Sequence, residues 1–239
     1  MHEHAFPMRW ADLDSLNHVN NVVYLDYAAE ARAILVDDGV IAADDTISTV
    51  SIRFVRPLLL GSRDVVVRSE LTDGVLTQQI TADGVAPVFA VVTVEYVDAD
   101  LPSRVVPGGE LPVLPVRVRR SDLDAAGAVR PAKLFELLQE VRVLNISRRL
   151  DTIAAGSVVV GTASVTHVRP ITWRAEPYEA TVWVSRVGRG SFDLHCQISD
   201  GATLLADSST AMVGFDPHTQ SSRPLGEAER AQLEALVPS

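Results

Sequence analysis

The sequence predicts an α+β fold written twice in one chain, and three observations carry that prediction. First, "RWADLDSLNHVNNVVYLDYAAEAR" (residues 9–32) aligns without a gap on "RRSDLDAAGAVRPAKLFELLQEVR" (residues 119–142). Arg9 meets Arg119, Asp12 meets Asp122, Asp14 meets Asp124, Val19 meets Val129, Glu30 meets Glu140 and Arg32 meets Arg142, always at an offset of 110. A period this long is a duplicated domain and not a solenoid repeat. Second, one helical pattern in each copy is followed by a run of β-branched, alternating segments, the signature of an antiparallel sheet packed on a helix. Third, the Pro- and Gly-rich "LPSRVVPGGELPVLP" lies between the copies and reads as a linker. The boundary therefore falls near residues 104–113, giving an N-terminal unit over 1–106 and a C-terminal unit over 107–239.

Each copy opens with a short strand and a polar turn. The first helix is expected to begin at Asn20 or Asn21, because asparagine is a strong N-cap. It is expected to stop near Gly39, which suits the residue after a helix. Its apolar residues Val22, Val23, Leu25, Ala28, Ala31, Ile34 and Leu35 spread widely round the wheel, so the helix should be buried. The second helix should start at Pro131, a residue suited to the first helical position, and run to Leu150. After the first helix the predicted strands are "TVSIRFV", "RDVVVRSEL", "VLTQQITA" and "VFAVVTVEYV". After the second they are "VVVGTASVTHV", "YEATVWVSRV", "FDLHCQIS" and "LLADSSTAMVGF". "VSIRFVRPL" and "SVTHVRPI" place Arg56-Pro57 over Arg169-Pro170. Tyr96 matches Phe215, and Ser103-Arg104 matches Ser222-Arg223. The closing "LGEAERAQLEALV" has helical apolar spacing and predicts a short third helix.

Composition removes several function classes. With 47% hydrophobic and 22% charged residues, the chain has enough apolar material for a substantial core. The formal charge of −10 argues against general nucleic-acid binding, which wants a basic face, and against attachment to anionic membranes. Cys196 is the one cysteine, so neither an intrachain disulfide nor a cysteine zinc cluster is available. No apolar run approaches a membrane span, and the N-terminus lacks the basic and apolar segments of a signal peptide. A cytoplasmic location is the expectation. Lys133 is the one lysine among 21 basic residues, which points to a GC-rich bacterial genome.

The chemistry concentrates just ahead of the first helix, where Asp12, Asp14, His18, Asn20 and Asn21 crowd into ten residues or fewer. One reading is turn chemistry and helix capping. The other is an active site at a helix N-terminus, where free backbone N–H groups polarise a substrate. Asp12 fits local backbone bonding, and His18 fits either a working or a turn-fixing role. Tyr24 and Tyr27 fit core or pocket wall. The other histidines have no metal-ligand spacing, and His2 with His4 is expected at a mobile terminus. No metal and no cofactor is predicted.

The string "RWADLD…HVNNVVYLDYAAEAR" resembles the opening motif of hotdog-fold acyl-CoA thioesterases of the 4-hydroxybenzoyl-CoA thioesterase type. It is also similar to the acyl-ACP thioesterases, which are tandem hotdogs. The resemblance implies a double hotdog: two long helices, each packed on a curved antiparallel sheet, joined as an intrachain pseudo-dimer. It implies hydrolysis of acyl-CoA to a free acid and CoA without a cofactor. Asp14 would be nucleophile or general base, with donors near Asn20 and Asn21 and with His18 orienting the carboxylate or the substrate. Tyr24, Arg56 and Arg169 would bind substrate. Arg148 and Arg149 are further candidates for the CoA phosphates. Homodimers of such chains are left open.

The departures from the family pattern are specific. Asn17 stands where a glycine often precedes the histidine. Leu16 stands where the acyl-ACP enzymes place an asparagine, which disfavours their mechanism without excluding their substrate. Copy two keeps Asp124 but has Ala128, Arg130 and Pro131 in place of His18, Asn20 and Asn21. Proline has no N–H to offer, so the second site is expected to be degenerate. Two other readings compete: an acyl-CoA-binding hotdog without catalysis, and a hotdog hydratase, against which the spacing argues. The hydratases use Asp-x4-His, whereas Asp14 to His18 is Asp-x3-His.

Overall fold

The computed structural model describes residues 1–14, 17–42, 46–59, 61, 63–96, 101–105, 107–154 and 156–238. The chain divides into two compact units, Met1–Asp100 and Leu101–Ser239. The segment 101–105 belongs to the second unit, where the Val105 N–H donates to Gln197 Oε1 at 3.0 Å.

In the first unit the order is β1 (His2–Phe6), α1 (Val23–Asp37), β2 (Thr49–Phe54), β3 (Val65–Thr72), β4 (Val75–Ala82) and β5 (Val85–Glu95). The strands form an antiparallel sheet in the order β1-β3-β4-β5-β2. The β3–β4 hairpin closes on Asp73-Gly74, both at positive φ (50° and 76°). That pair is the residue choice a two-residue I′ turn demands. β1 corrects one expectation. His2 and His4 do not lie in a mobile terminus but pair with Ser69 and Val67 across β3.

α1 packs on the sheet through Tyr24, Leu25, Tyr27, Ala28, Ala31 and Leu35. Asp26, Glu30, Ala33 and Asp37 face solvent, so the helix is buried along a stripe and not all round. A buried polar contact fixes it there: Gln78, fully buried on β4, donates to the Ala28 carbonyl at 2.8 Å. α1 also starts later than expected. Asn20 accepts the Val22 N–H on its side-chain oxygen and the Val23 N–H on its carbonyl. The asparagine thus ends a tight turn from which the helix opens at Val23.

The second unit runs β6 (Val113–Val116), α2 (Pro131–Arg149), β7 (Val158–His167), β8 (Tyr178–Val187), β9 (Ser191–Asp200), β10 (Thr203–Asp216), β11 (Ser221–Ser222) and α3 (Glu227–Ala235). Its antiparallel sheet has the order β7-β10-β9-β8-β6, with β11 on β10. Pro131 is the first residue of α2, as its missing N–H allows.

α3 is secured by a partly buried ion pair. Arg223 holds Glu229 through two bonds of 2.8 and 2.7 Å, and the Gly226 N–H adds a third at 2.6 Å. Arg223 is the main cause that keeps the Glu229 carboxyl below its ordinary value of 4.5. A depressed carboxylate stabilises the fold above its unfolded pKa and stops doing so as pH falls through the folded one. Hydrogen-exchange protection of α3 is therefore expected to hold down to about pH 4.5 and to decline below it. Glu229→Gln should weaken α3 at neutral pH and flatten that decline. An equally acid-sensitive α3 in Glu229→Gln would assign the effect to another group.

Candidate active site

The turn ahead of each helix is built by the same bonds. The Asp14 N–H donates to the His18 carbonyl and the Asp124 N–H to the Ala128 carbonyl, each at 2.8 Å. In return the His18 N–H donates to Asp14 Oδ1 and the Ala128 N–H to Asp124 Oδ1, each at 3.0 Å. Arg9 N–H to Asp12 and Arg119 N–H to Asp122 are both 2.7 Å. The Asn20 and Arg130 N–H groups bond the Asp12 and Asp122 carbonyls. The first Asp of each pair thus holds the chain entering the turn, and the second caps its exit. Capping is therefore a real role of Asp14, shared with Asp124.

The tip of this turn explains one departure from the family pattern. Asn17 has φ 61° and Gly127 has φ 83°. A left-handed residue is required at this position, and asparagine is among the few non-glycine residues that adopt it readily. The Leu16 departure falls outside the described residues.

What separates the copies is the surroundings of the second carboxylate. Asp124 is exposed, whereas Asp14 is half-buried. Beside Asp14 stands Tyr24, buried to 2% exposure, where copy two has Leu134. The Tyr24 hydroxyl accepts the Leu58 N–H at 3.0 Å. Burial pushes this phenol up to about 12, the Leu58 bond opposes the rise, and the nearby Asp14 charge adds to it. Tyr27 donates its hydroxyl to Asp12, and burial with that bond raises its pKa as well. Both tyrosines pack in the core, and both touch the turn.

The segment after β2 closes the other side. The Leu58 carbonyl accepts the Val19 N–H at 2.8 Å, and Leu59 bridges to His18. This loop begins at Arg56, which is exposed and holds no ion pair among the described residues. Arg169 has the matching place in copy two: Ile171 accepts the Val129 N–H and Thr172 bridges to Ala128. Each arginine therefore accompanies the turn of its own unit. The His18 ring is half-buried and has no hydrogen-bond partner among the described residues, so it is available to a ligand. Arg130 does not pair with Asp124; its guanidinium donates to the Ser121 carbonyl at 3.0 Å.

The helix start can be resolved donor by donor. The N–H of Asn20 is taken by Asp12, that of Val22 by the Asn20 side chain, and that of Val23 by the Asn20 carbonyl. Asn21, and Tyr24 one turn on, have no N–H acceptor among the described residues. The sequence marks Asn20 and Asn21 alike. In the fold Asn20 closes the turn ahead of the helix, Val22 takes the N-cap position, and the Asn21 N–H is uncommitted. Leu58 is a part of the site that the motif does not include, and its signal was the Arg-Pro repeated after each helix. Among the described residues no three His, Cys, Asp or Glu side chains form a metal cluster, and no helix is long and apolar enough to cross a membrane.

Known proteins resemble the chain in the same two halves. Residues 1–86 match the model of the acyl-ACP thioesterase C-terminal domain, and residues 118–234 match that of the thioesterase-like superfamily. No curated protein matches in sequence. Among solved structures, a putative oleoyl thioesterase from Lactobacillus plantarum superposes with TM-score 0.67 at 11% identity, over 90% of this chain and 96% of its own. The 12:0-ACP thioesterase from Umbellularia californica gives 0.62 at 11% identity, over 94% and 97%. An acyl-ACP thioesterase from Bacteroides thetaiotaomicron gives 0.60 at 11% identity, over 88% and 97%. At such identities the superpositions establish the fold alone. Each half of the chain thus matches a thioesterase family model, and the chain has the fold of these solved thioesterases.

Proposed function

We propose that the chain hydrolyses acyl-CoA thioesters at a site in its first unit, with Asp14 as the reacting carboxylate. The observation that carries this reading is the half-buried Asp14 beside a helix start whose Asn21 N–H is uncommitted. In the nucleophilic route an Asp14 oxygen attacks the carbonyl carbon and CoA leaves as its thiolate. Water then cleaves the resulting mixed anhydride, restoring Asp14 and releasing the acid. In the general-base route Asp14 takes a proton from water as that water attacks. Both routes place negative charge on the carbonyl oxygen, and the Asn21 N–H is the donor offered to it.

His18 is assigned to substrate contact, because its ring is unengaged while its backbone holds the turn. Asn20 and Tyr24 position the site: one sets the helix start, the other holds Leu58 against it. Arg56 is assigned to the CoA phosphates. Arg169 would serve only a site at Asp124, which we take to be degenerate.

A second reading, acyl-ACP hydrolysis, is favoured by the match of residues 1–86 to an acyl-ACP thioesterase domain. One panel decides between them: thiol release from short, long and aromatic acyl-CoAs and from acyl-ACPs of the same chain lengths. We expect the larger kcat/KM on an acyl-CoA. Preference for the ACP carrier would reverse the substrate, and binding without thiol release from any of them would make the protein a non-catalytic acyl-CoA binder.

A further inference from the structure

We infer that the second unit holds a binding site for a small monocarboxylate with an apolar body. The site is a cavity of about 290 Å³ lined by residues 108–112, the C-terminal half of α2, β8 and the end of α3. Its volume sits just below the usual range for ligand pockets, which suits a ligand of few heavy atoms.

Asn145 is the first reason. It lines the cavity, is 6% exposed, and its Oδ1 is buried with no hydrogen-bond partner among the described residues. An unsatisfied buried amide is uncommon, because it loses its water without recovering a bond. Half a turn about χ2 exchanges the amide oxygen and nitrogen, so the group can meet an acceptor as well as a donor.

Charge chooses between them. Arg149, one turn along α2, also lines the cavity, and its guanidinium has no carboxylate partner among the described residues. Arg142, three residues before Asn145, lies outside the cavity lining and likewise has no carboxylate partner among the described residues. Its polar contact is Gln139 Oε1 at 3.5 Å. Burial pushes the Arg142 guanidinium down to about 10, so it stays charged at neutral pH. A half-buried cation without a counter-ion is costly, and an anionic ligand relieves that cost.

Opposing charge exists but is weaker. Glu110 lines the cavity from an exposed position, where solvent screens it. The negative end of α2 is partly satisfied: Leu150 N–H takes the Ile146 carbonyl and the Gln232 amide takes that of Arg149. Leu111, Val184 and Val237 supply apolar wall. A planar carboxylate fits a guanidinium fork beside an amide, and a hydrocarbon body fits the wall. A phosphate, strongly hydrated and facing Glu110, does not. None of this depends on the chemistry proposed at Asp14.

The test is calorimetric titration of the whole chain with hexanoate. Saturable binding is expected, and Arg149→Gln should weaken it by at least about tenfold. Asn145→Leu, which keeps the volume and removes the amide, should also weaken it, and serves if Arg149→Gln fails to fold. Four results would overturn the inference. They are no binding (a cavity filled by water only), tighter binding of hexylammonium than of hexanoate, displacement of hexanoate by equimolar phosphate, and binding that survives Arg149→Gln but is lost in Asp14→Asn. The last would place the acid in the first unit.

Discussion

Asp14→Asn is expected to lower kcat on the best thioester by on the order of 10⁴-fold, the scale on which removal of a reacting group acts. Asp124→Asn should leave kcat within a few-fold. The pair is a close comparison because the two carboxylates share one turn-closing bond, to which Asp124 adds the Ala126 N–H at 2.9 Å. Each accepts the N–H four residues on at 3.0 Å, and each N–H donates to the same carbonyl at 2.8 Å. Asparagine keeps an oxygen at that place and weakens the bond to a neutral one, typically by less than about 1–2 kcal/mol. The two variants should therefore lose similar stability, measured as the shift in denaturation midpoint. Any difference in turnover beyond that belongs to chemistry. Inactive Asp124→Asn with active Asp14→Asn would move the site to the second unit. Full activity in both would remove the carboxylate mechanism.

The same comparison marks how far the sequence can be read. The likeness of the two turns was legible because capping residues and Arg-Pro recur in register, and local bonding repeats wherever these residues do. Helix α2 began at Pro131 because proline constrains the backbone on its own. The start of α1 was less legible: two adjacent asparagines cap equally well in isolation, and the Asp12 carbonyl decides which of them is engaged. That the opening strand takes in His2 and His4 was missed for a related reason. "HEHAF" is polar and short, and it pairs only because β3 presents an edge. The partnership of Tyr24 with Leu58 spans 34 residues and leaves no local pattern. The cavity around Asn145 was invisible because its walls come from four separated segments, though an asparagine on the apolar side of α2 was a trace of it.

Asn21→Pro should cost 10²–10³-fold in kcat, about what loss of one oxyanion donor removes. The substitution takes away a single N–H and asks little else of the chain. Copy two already carries proline at this position, following a residue whose N–H makes the same bond to the Asp carbonyl. Asn21 accepts no role in the cap, since Val22 and Val23 both bond Asn20. Stability should therefore change by less than about 1 kcal/mol. Asn21→Ala provides the control. It keeps the N–H and deletes the side chain, so it should retain most of the turnover if the backbone is the working group. Loss of activity in Asn21→Ala equal to that in Asn21→Pro would transfer the role to the side-chain amide. A proline variant that turns over at the normal rate would leave the oxyanion to the Tyr24 N–H or to the His18 ring. Because the donor acts on the transition state, kcat should fall with little change in KM. A rise in KM alone would make Asn21 a residue for substrate binding instead.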